Sequence, residues 1–135
     1  MAGVIALNGS SEGILDIHAH ESMQILRHHL YEYQKGLRNL ILYTTNVYSE
    51  EEVVSLLEKK GVSYLVRRAS ESKINVFFGD EMCINVLKNI GDKCLSEYTD
   101  EEDFILGIML GYDRLQQCNR YLSRKNRSKI IEMLL

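Results

Sequence analysis

The hydrophobic positions of this chain follow two spacings, one typical of strands and one typical of helices. Residues 40–43 form a short, continuously apolar run followed by threonines, which predicts a strand covered on both faces. Two β-type runs, at about 62–68 and 73–78, lie on either side of a polar turn. This arrangement predicts a β-hairpin.

The segment that precedes the first of these strands is ambiguous. Ile25, Leu26 and Leu30 fit the spacing of a strand and also that of a helix. We favour a short strand through about His28, followed by one or two helical turns that reach Arg38.

Capping residues mark where two helices begin. Ser49 with Glu52 has the pattern of a capping box, and Gly61 stands where a left-handed residue ends a helix. Asp80 is placed to cap the N-terminus of a second helix over 82–90.

The segment 99–122 predicts one continuous helix. It opens with a second capping box, formed by Thr99 and Glu102, and its first half is apolar on every side. Gly107 and Gly111 each cost roughly 1 kcal/mol relative to alanine inside a helix. We therefore expect a neighbouring helix or strand to come close to them, the alternative being a ligand in the groove.

The second half of this helix is amphipathic. Leu115, Cys118 and Leu122 share one face, and polar side chains occupy the other. The apolar first half predicts a core helix, whereas the polar side chains from Asp113 onward could meet a partner.

These elements favour the α+β class. We expect a single compact domain with a small sheet of about 3–4 strands, hairpin included, packed with about 4 helices in the order β-α-β-α-β-β-α-α. Residues 1–22 are rich in glycine and serine and show little periodicity, which predicts a flexible N-terminal extension. Residues 23–135 would then form the domain.

Composition narrows the function classes. The chain has 135 residues and a net charge of −3, which argues against wholesale disorder and against nucleic-acid binding. Cys83, Cys94 and Cys118 match no zinc or redox spacing, so we expect reduced, mostly buried thiols. No segment has the pattern of a signal peptide or a membrane span, and a cytoplasmic protein is the expectation.

His18 and His20 are the most tempting metal-binding pattern, because alternate residues of a strand project from one face and can share a metal. Enzymes that begin their metal site in this way need further ligands from a large barrel, and this chain is too short for one. We expect no metal and no cofactor.

A cluster of polar, aromatic and basic side chains is the first candidate binding site for an anionic or planar ligand. Its members are His28, His29, Tyr31, Lys35 and Arg38, with Gly79, Asp80 and Tyr112 as further candidates. Packing and helix capping explain the same residues and are the favoured interpretation.

The second candidate site is a basic surface near the C-terminus, which would dock an acidic protein. Its candidate residues are Arg114, Arg120, Arg124, Lys125 and Arg127. A solvated terminal turn is the alternative. No arrangement of residues in the sequence requires catalysis, so an enzyme is less favoured than a binding protein.

Three blocks of the sequence resemble a bacterial family known as domain of unknown function 2023. The blocks are HHLYEYQKGLRNLILYTT, KINVFFGD and TDEEDFILGIMLGYDRLQQCNRYL, and the resemblance spans about Met23–Leu122. It implies a compact α+β domain and brings no activity, cofactor or catalytic residue. Members are often encoded beside a flavodoxin, which implies an acidic, redox-linked partner.

We therefore expect a small non-enzymatic accessory or regulatory protein that docks to an acidic, flavodoxin-like partner. The alternative is a ligand-binding or enzymatic module that uses the cluster from His28 to Arg38. The sequence gives no prediction of the oligomeric state of the protein.

Overall fold

A computed structural model describes residues 11–135, with side chains from residue 21 onward. Over these residues the fold is α+β, as predicted, with a single compact domain of five α-helices and three strands. The order is α1 (Ser11–Gln34), β1 (Leu40–Asn46), α2 (Glu50–Lys59), β2 (Ser63–Arg68), β3 (Lys73–Gly79), α3 (Glu81–Ile90), α4 (Asp100–Met109) and α5 (Arg114–Leu134). Short 3-10 helices occupy Val47–Ser49 and Leu95–Glu97.

The three strands form one antiparallel sheet in the order β1-β3-β2. Val76 of the central strand lies opposite Tyr43 on one side and Val66 on the other. The predicted hairpin is confirmed as β2 and β3, and the predicted apolar strand is confirmed as the start of β1.

The sheet separates two hydrophobic cores, because alternate residues of a strand point to opposite faces. Phe78 lies in the core beneath α1 and α2, and its neighbour Phe77 lies in the core beneath α3 and α4. Both side chains are almost completely buried. Helix α5 packs mainly on α4, outside these layers, and contributes no buried residue.

The predicted strand through His28 is wrong, since helix α1 runs without interruption to Gln34. Met23, Leu26 and Leu30 follow the three- and four-residue spacing of a helix, and all three are buried against the sheet. The Tyr43 hydroxyl of β1 also donates a hydrogen bond to the Ser22 carbonyl, at 2.6 Å. The helical spacing therefore prevails over the local β pattern.

The predicted boundary after residue 22 stays a prediction. Residues 1–10 lie outside the described residues, and α1 passes through Ser22.

The predicted continuous helix over 99–122 is also wrong. Helix α4 ends at Met109, and α5 begins at Arg114 after a turn. Gly111 has φ +83° there, the left-handed conformation of a helix C-terminus, rather than an interior position. Asp113 then accepts a hydrogen bond from the Gln116 amide and caps α5. The chain thereby reverses, and α5 returns along α4.

Gly107, in contrast, has the close neighbour that we predicted. A Cβ at this position would overlap the Gln117 side chain of α5. The first predicted glycine contact is therefore confirmed, and it is a contact between helices.

Two of the three predicted N-terminal caps are confirmed. Asp80 accepts a hydrogen bond from the Met82 amide, and Thr99 forms a reciprocal capping box with Glu102. Ser49 makes no side-chain cap, because its hydroxyl lies 3.3 Å from the Asn46 amide oxygen and donates to it instead.

Gly79 is the position where the backbone requires glycine most strictly. Its φ is +147°, and a Cβ would overlap the Asn39 carbonyl. That carbonyl accepts a hydrogen bond from the Asp80 amide, at 2.8 Å, and so fixes the passage from β3 into α3.

We predict that Gly79→Ala lowers the free energy of unfolding by about 3 kcal/mol or more, because backbone atoms rather than a flexible side chain must move. Gly61→Ala is the matched control, since Gly61 also has a positive φ but open space around it. Its cost should be only about 1–2 kcal/mol. Urea denaturation measures both values, and equal losses would contradict the close-approach argument.

Candidate functional site

The basic residues of α5 meet the acidic first turn of α4 along what we call the acid–base seam. The seam consists of Asp100, Glu101 and Asp103 on α4, and Arg120, Tyr121, Arg124 and Lys125 on α5. Arg120 binds Asp103 through two nitrogens, Nε at 2.8 Å and Nη2 at 3.1 Å. Arg124 bridges Asp100 and Asp103. Its Nε lies 3.0 Å from Asp100 Oδ1, and its Nη1 lies 3.0 Å from Asp103 Oδ1.

Glu101 closes the other edge of the seam. Its Oε2 lies 2.8 Å from Lys125 Nζ and accepts a hydrogen bond from the Tyr121 hydroxyl at 2.7 Å. These bonds lower the pKa of Glu101 to about 2, and the bond from Lys125 has the largest effect. The hydrogen bond from Arg120 likewise lowers the pKa of Asp103. The seam therefore stays charged at neutral pH.

The seam divides the five predicted partner-binding residues into two groups. Arg120, Arg124 and Lys125 are occupied by carboxylates of the same chain. Arg114 and Arg127 make no ion pair or hydrogen bond through their side chains within residues 21–135. Their role in docking stays a prediction, with Arg114 and Arg127 the two available for an outside partner.

Sequence reasoning identified the basic tail and the acidic cap but did not pair them. The signal was present, because the first turn of α4 carries four acids and α5 carries cations at helical spacing. Their contact requires the reversal at Gly111, which the prediction of one continuous helix excluded.

The apolar side chains of α5 point to solvent, which reverses the expectation for an amphipathic helix. Leu115 is 79% exposed, Leu122 63% and Met133 85%. These residues and Cys118 lie on one helical face, which we call the outer stripe. The polar face holds α5 to the domain, because its cations meet the acids of α4.

The cysteines are less buried than predicted. Cys94 and Cys118 are exposed, since one lies in the loop before α4 and the other on the outer stripe. Cys83 is half-buried, and burial raises the pKa of its thiol. All three are free.

The predicted ligand cluster around His28 is organised by Glu32. Glu32 Oε1 lies 3.2 Å from His29 Nδ1, 3.7 Å from Arg38 Nη1 and 4.0 Å from His28 Nε2. The hydrogen bond with His29 holds the pKa of Glu32 below its usual value. The cluster therefore fastens the end of α1 to the following turn.

The remaining ligand candidates, Tyr112 excepted, have local partners. The Lys35 ammonium lies 5.5 Å from the centre of the Tyr31 ring, whereas Gly79 and Asp80 serve the junction of β3 with α3. Tyr112 lines a cavity of about 190 Å³ between α4 and α5. Their binding of a ligand stays a prediction.

No helix within residues 11–135 is long and apolar enough to cross a membrane. In the part of the chain with described side chains, no three histidine, cysteine or acidic residues form a group suited to a metal ion. The side chains of His18 and His20 lie outside the described residues.

Comparison with protein families identifies the group to which this chain belongs. Residues 24–124 match the family described as Protein of unknown function (DUF2023). Since the match covers well over half of the 135 residues, the chain is a member of that family. Comparison with curated proteins gives no match.

We predict that the Glu101 carboxyl titrates at about pH 2 and that Lys125→Met raises this pKa towards 4.5, by more than Tyr121→Phe does. Because the pKa is depressed in the folded state, the seam stabilises the docking of α5 above about pH 4.5 and loses this contribution as the pH falls through about 2. Carbon-detected NMR titration measures the pKa, and a value near 4.5 in the unaltered protein would contradict the seam.

Proposed function

We propose that this protein is a non-enzymatic accessory or regulatory protein that docks onto an acidic, redox-linked protein of the flavodoxin type. The docking surface is the outer stripe of α5 with the cations beside it. We further propose that the protein is bacterial and cytoplasmic, in keeping with the resemblance and with its three free cysteines.

The observation that carries this proposal is the direction of the apolar face of α5. Leu115, Leu122 and Met133 expose most of their surface, although they lie at the spacing that normally seats a helix on a core. Such an exposed apolar face, rimmed by polar residues, is typical of a protein-interaction site. The stripe is therefore the best surface for a partner to cover.

The charge beside the stripe favours an acidic partner. Arg114 and Lys129 belong to α5 and have no side-chain partner within residues 21–135. Complementary charge steers association and selects against partners of the same sign. A second copy that paired stripe to stripe would bring these cations together, so a separate acidic protein fits better.

The redox-linked identity of the partner rests on the family resemblance, whose members are often encoded beside a flavodoxin. Flavodoxins are typically acidic, so their negative charge would complement the cations beside the stripe. An accessory role fits because the exposed apolar side chains of the outer stripe are suited to binding a partner.

We predict that the protein binds a flavodoxin from the same genome at low salt and that Leu122→Ser weakens this binding by at least about tenfold. Arg114→Glu should weaken the binding more at low salt than at high salt, because this change reverses a charge beside the stripe. Isothermal titration calorimetry measures both effects.

Leu37→Ser is the matched control, since Leu37 is 69% exposed but lies in the turn after α1. It should leave the affinity unchanged. Absence of a complex at low salt, or equal losses in Leu37→Ser and Leu122→Ser, would overturn the proposal. Self-association through Leu122, seen by analytical ultracentrifugation, would assign the stripe to a second copy instead.

A further inference from the structure

A cationic cleft lies on the other side of α5 from the outer stripe. It consists of two neighbouring cavities, of about 650 Å³ and about 180 Å³, which share Leu95, Ser96 and Tyr98 among their lining residues. The larger cavity has the volume of a small-molecule site.

The larger cavity is lined by three arginines of α5, namely Arg120, Arg124 and Arg127. The first two are oriented by Asp103, which also lines the cavity. Arg127 has no partner among the described side chains, so its guanidinium is available to an incoming anion.

The smaller cavity adds cations from the sheet and the loop. Arg67, Arg68 and Lys93 line it, and no acidic residue does, although Glu102 holds Lys93 from outside the lining, with Oε1 2.6 Å from Nζ. The carboxylate nearest to Arg67, Asp92, lies 3.4 Å away and has a side chain 86% exposed. A pair so open to water is weak, so an anion bound in the cleft can compete for Arg67.

Asn75 supplies a neutral donor on the floor of the smaller cavity. Its amide oxygen accepts a hydrogen bond from the Thr44 hydroxyl at 2.7 Å, which leaves its NH₂ group as a donor. Asn75 is buried at the polar end of a sheet face whose other end belongs to the core with Phe77. The cleft begins where that apolar core stops.

Both cavities also have apolar walls, formed by Leu95 and Tyr98, with Leu106 in the larger one. These side chains would cover an organic group, while the surrounding cations would bind its charge. The combination is characteristic of a site for an anionic organic molecule rather than for a bare ion.

We infer that the cleft binds a small organic phosphate. Guanidinium groups match tetrahedral phosphate oxygens through paired hydrogen bonds, and a phosphate has enough acceptors for several cations at once. Arg127 binds the phosphate in the larger cavity, and Arg67 contributes from the smaller one. This site shares no lining residue with the outer stripe, because Leu115 and Leu122 take no part in lining it.

Inorganic pyrophosphate is the probe that tests this inference. Isothermal titration calorimetry of the full chain should give a single site, and Arg127→Gln should weaken binding at least about tenfold. Arg114→Gln, which removes another exposed and unpaired arginine from the same helix, should leave the affinity unchanged. Arg67→Gln should also weaken binding.

Circular dichroism checks that each variant has the unfolding transition of the unaltered protein. Failure to bind pyrophosphate at millimolar concentration would overturn the inference, and so would equal losses in Arg127→Gln and Arg114→Gln. Leu122→Ser should bind pyrophosphate normally, so this result is separate from the test of docking to an acidic protein.

Discussion

Burial of β3 on both faces is the constraint on which the rest of the structure depends. Six of its seven residues are buried, and both other strands pair with it. Because neighbouring residues point to opposite faces, one strand anchors both cores and requires helices above and below. At the end of this strand the backbone of Gly79 lies in close contact with the Asn39 carbonyl. This contact fixes where the chain passes into α3.

The sequence predicted those elements whose stability is decided by nearby residues. The apolar runs of β1 and β3 and the caps at Asp80 and Thr99 depend on local burial or local hydrogen bonds. Residues 24–28 were misread because a segment of five residues cannot separate the two periods, and the sheet that decides between them lies farther along the chain. Gly111 was misread because an interior glycine and a helix-ending glycine look alike in sequence.

The candidate site was predictable in composition but not in arrangement. The basic residues of α5 are visible in the sequence. The ion pairs of Arg120 and Arg124 with carboxylates of α4 are not, because they depend on the antiparallel return of the helix. The same return decides that Leu115 and Leu122 are exposed, because the seam fixes which side of α5 meets α4. The cationic cleft is harder still to predict from the sequence, since its residues come from a hairpin, a loop and a helix.

The position of α5 links the two proposed sites physically. Most of its contacts with the domain are made to α4, and the pairs that fasten it, such as Arg120 with Asp103, are partly open to water. Isolated pairs of this kind stabilise a helix only weakly, so the seam depends on several pairs joined in one network. A phosphate held by Arg127 would fix the inner side of α5, and an acidic protein over Leu122 would fix its outer side. Because both sites lie on one helix, any effect of the phosphate on partner binding equals the effect of the partner on phosphate binding, as thermodynamic linkage requires.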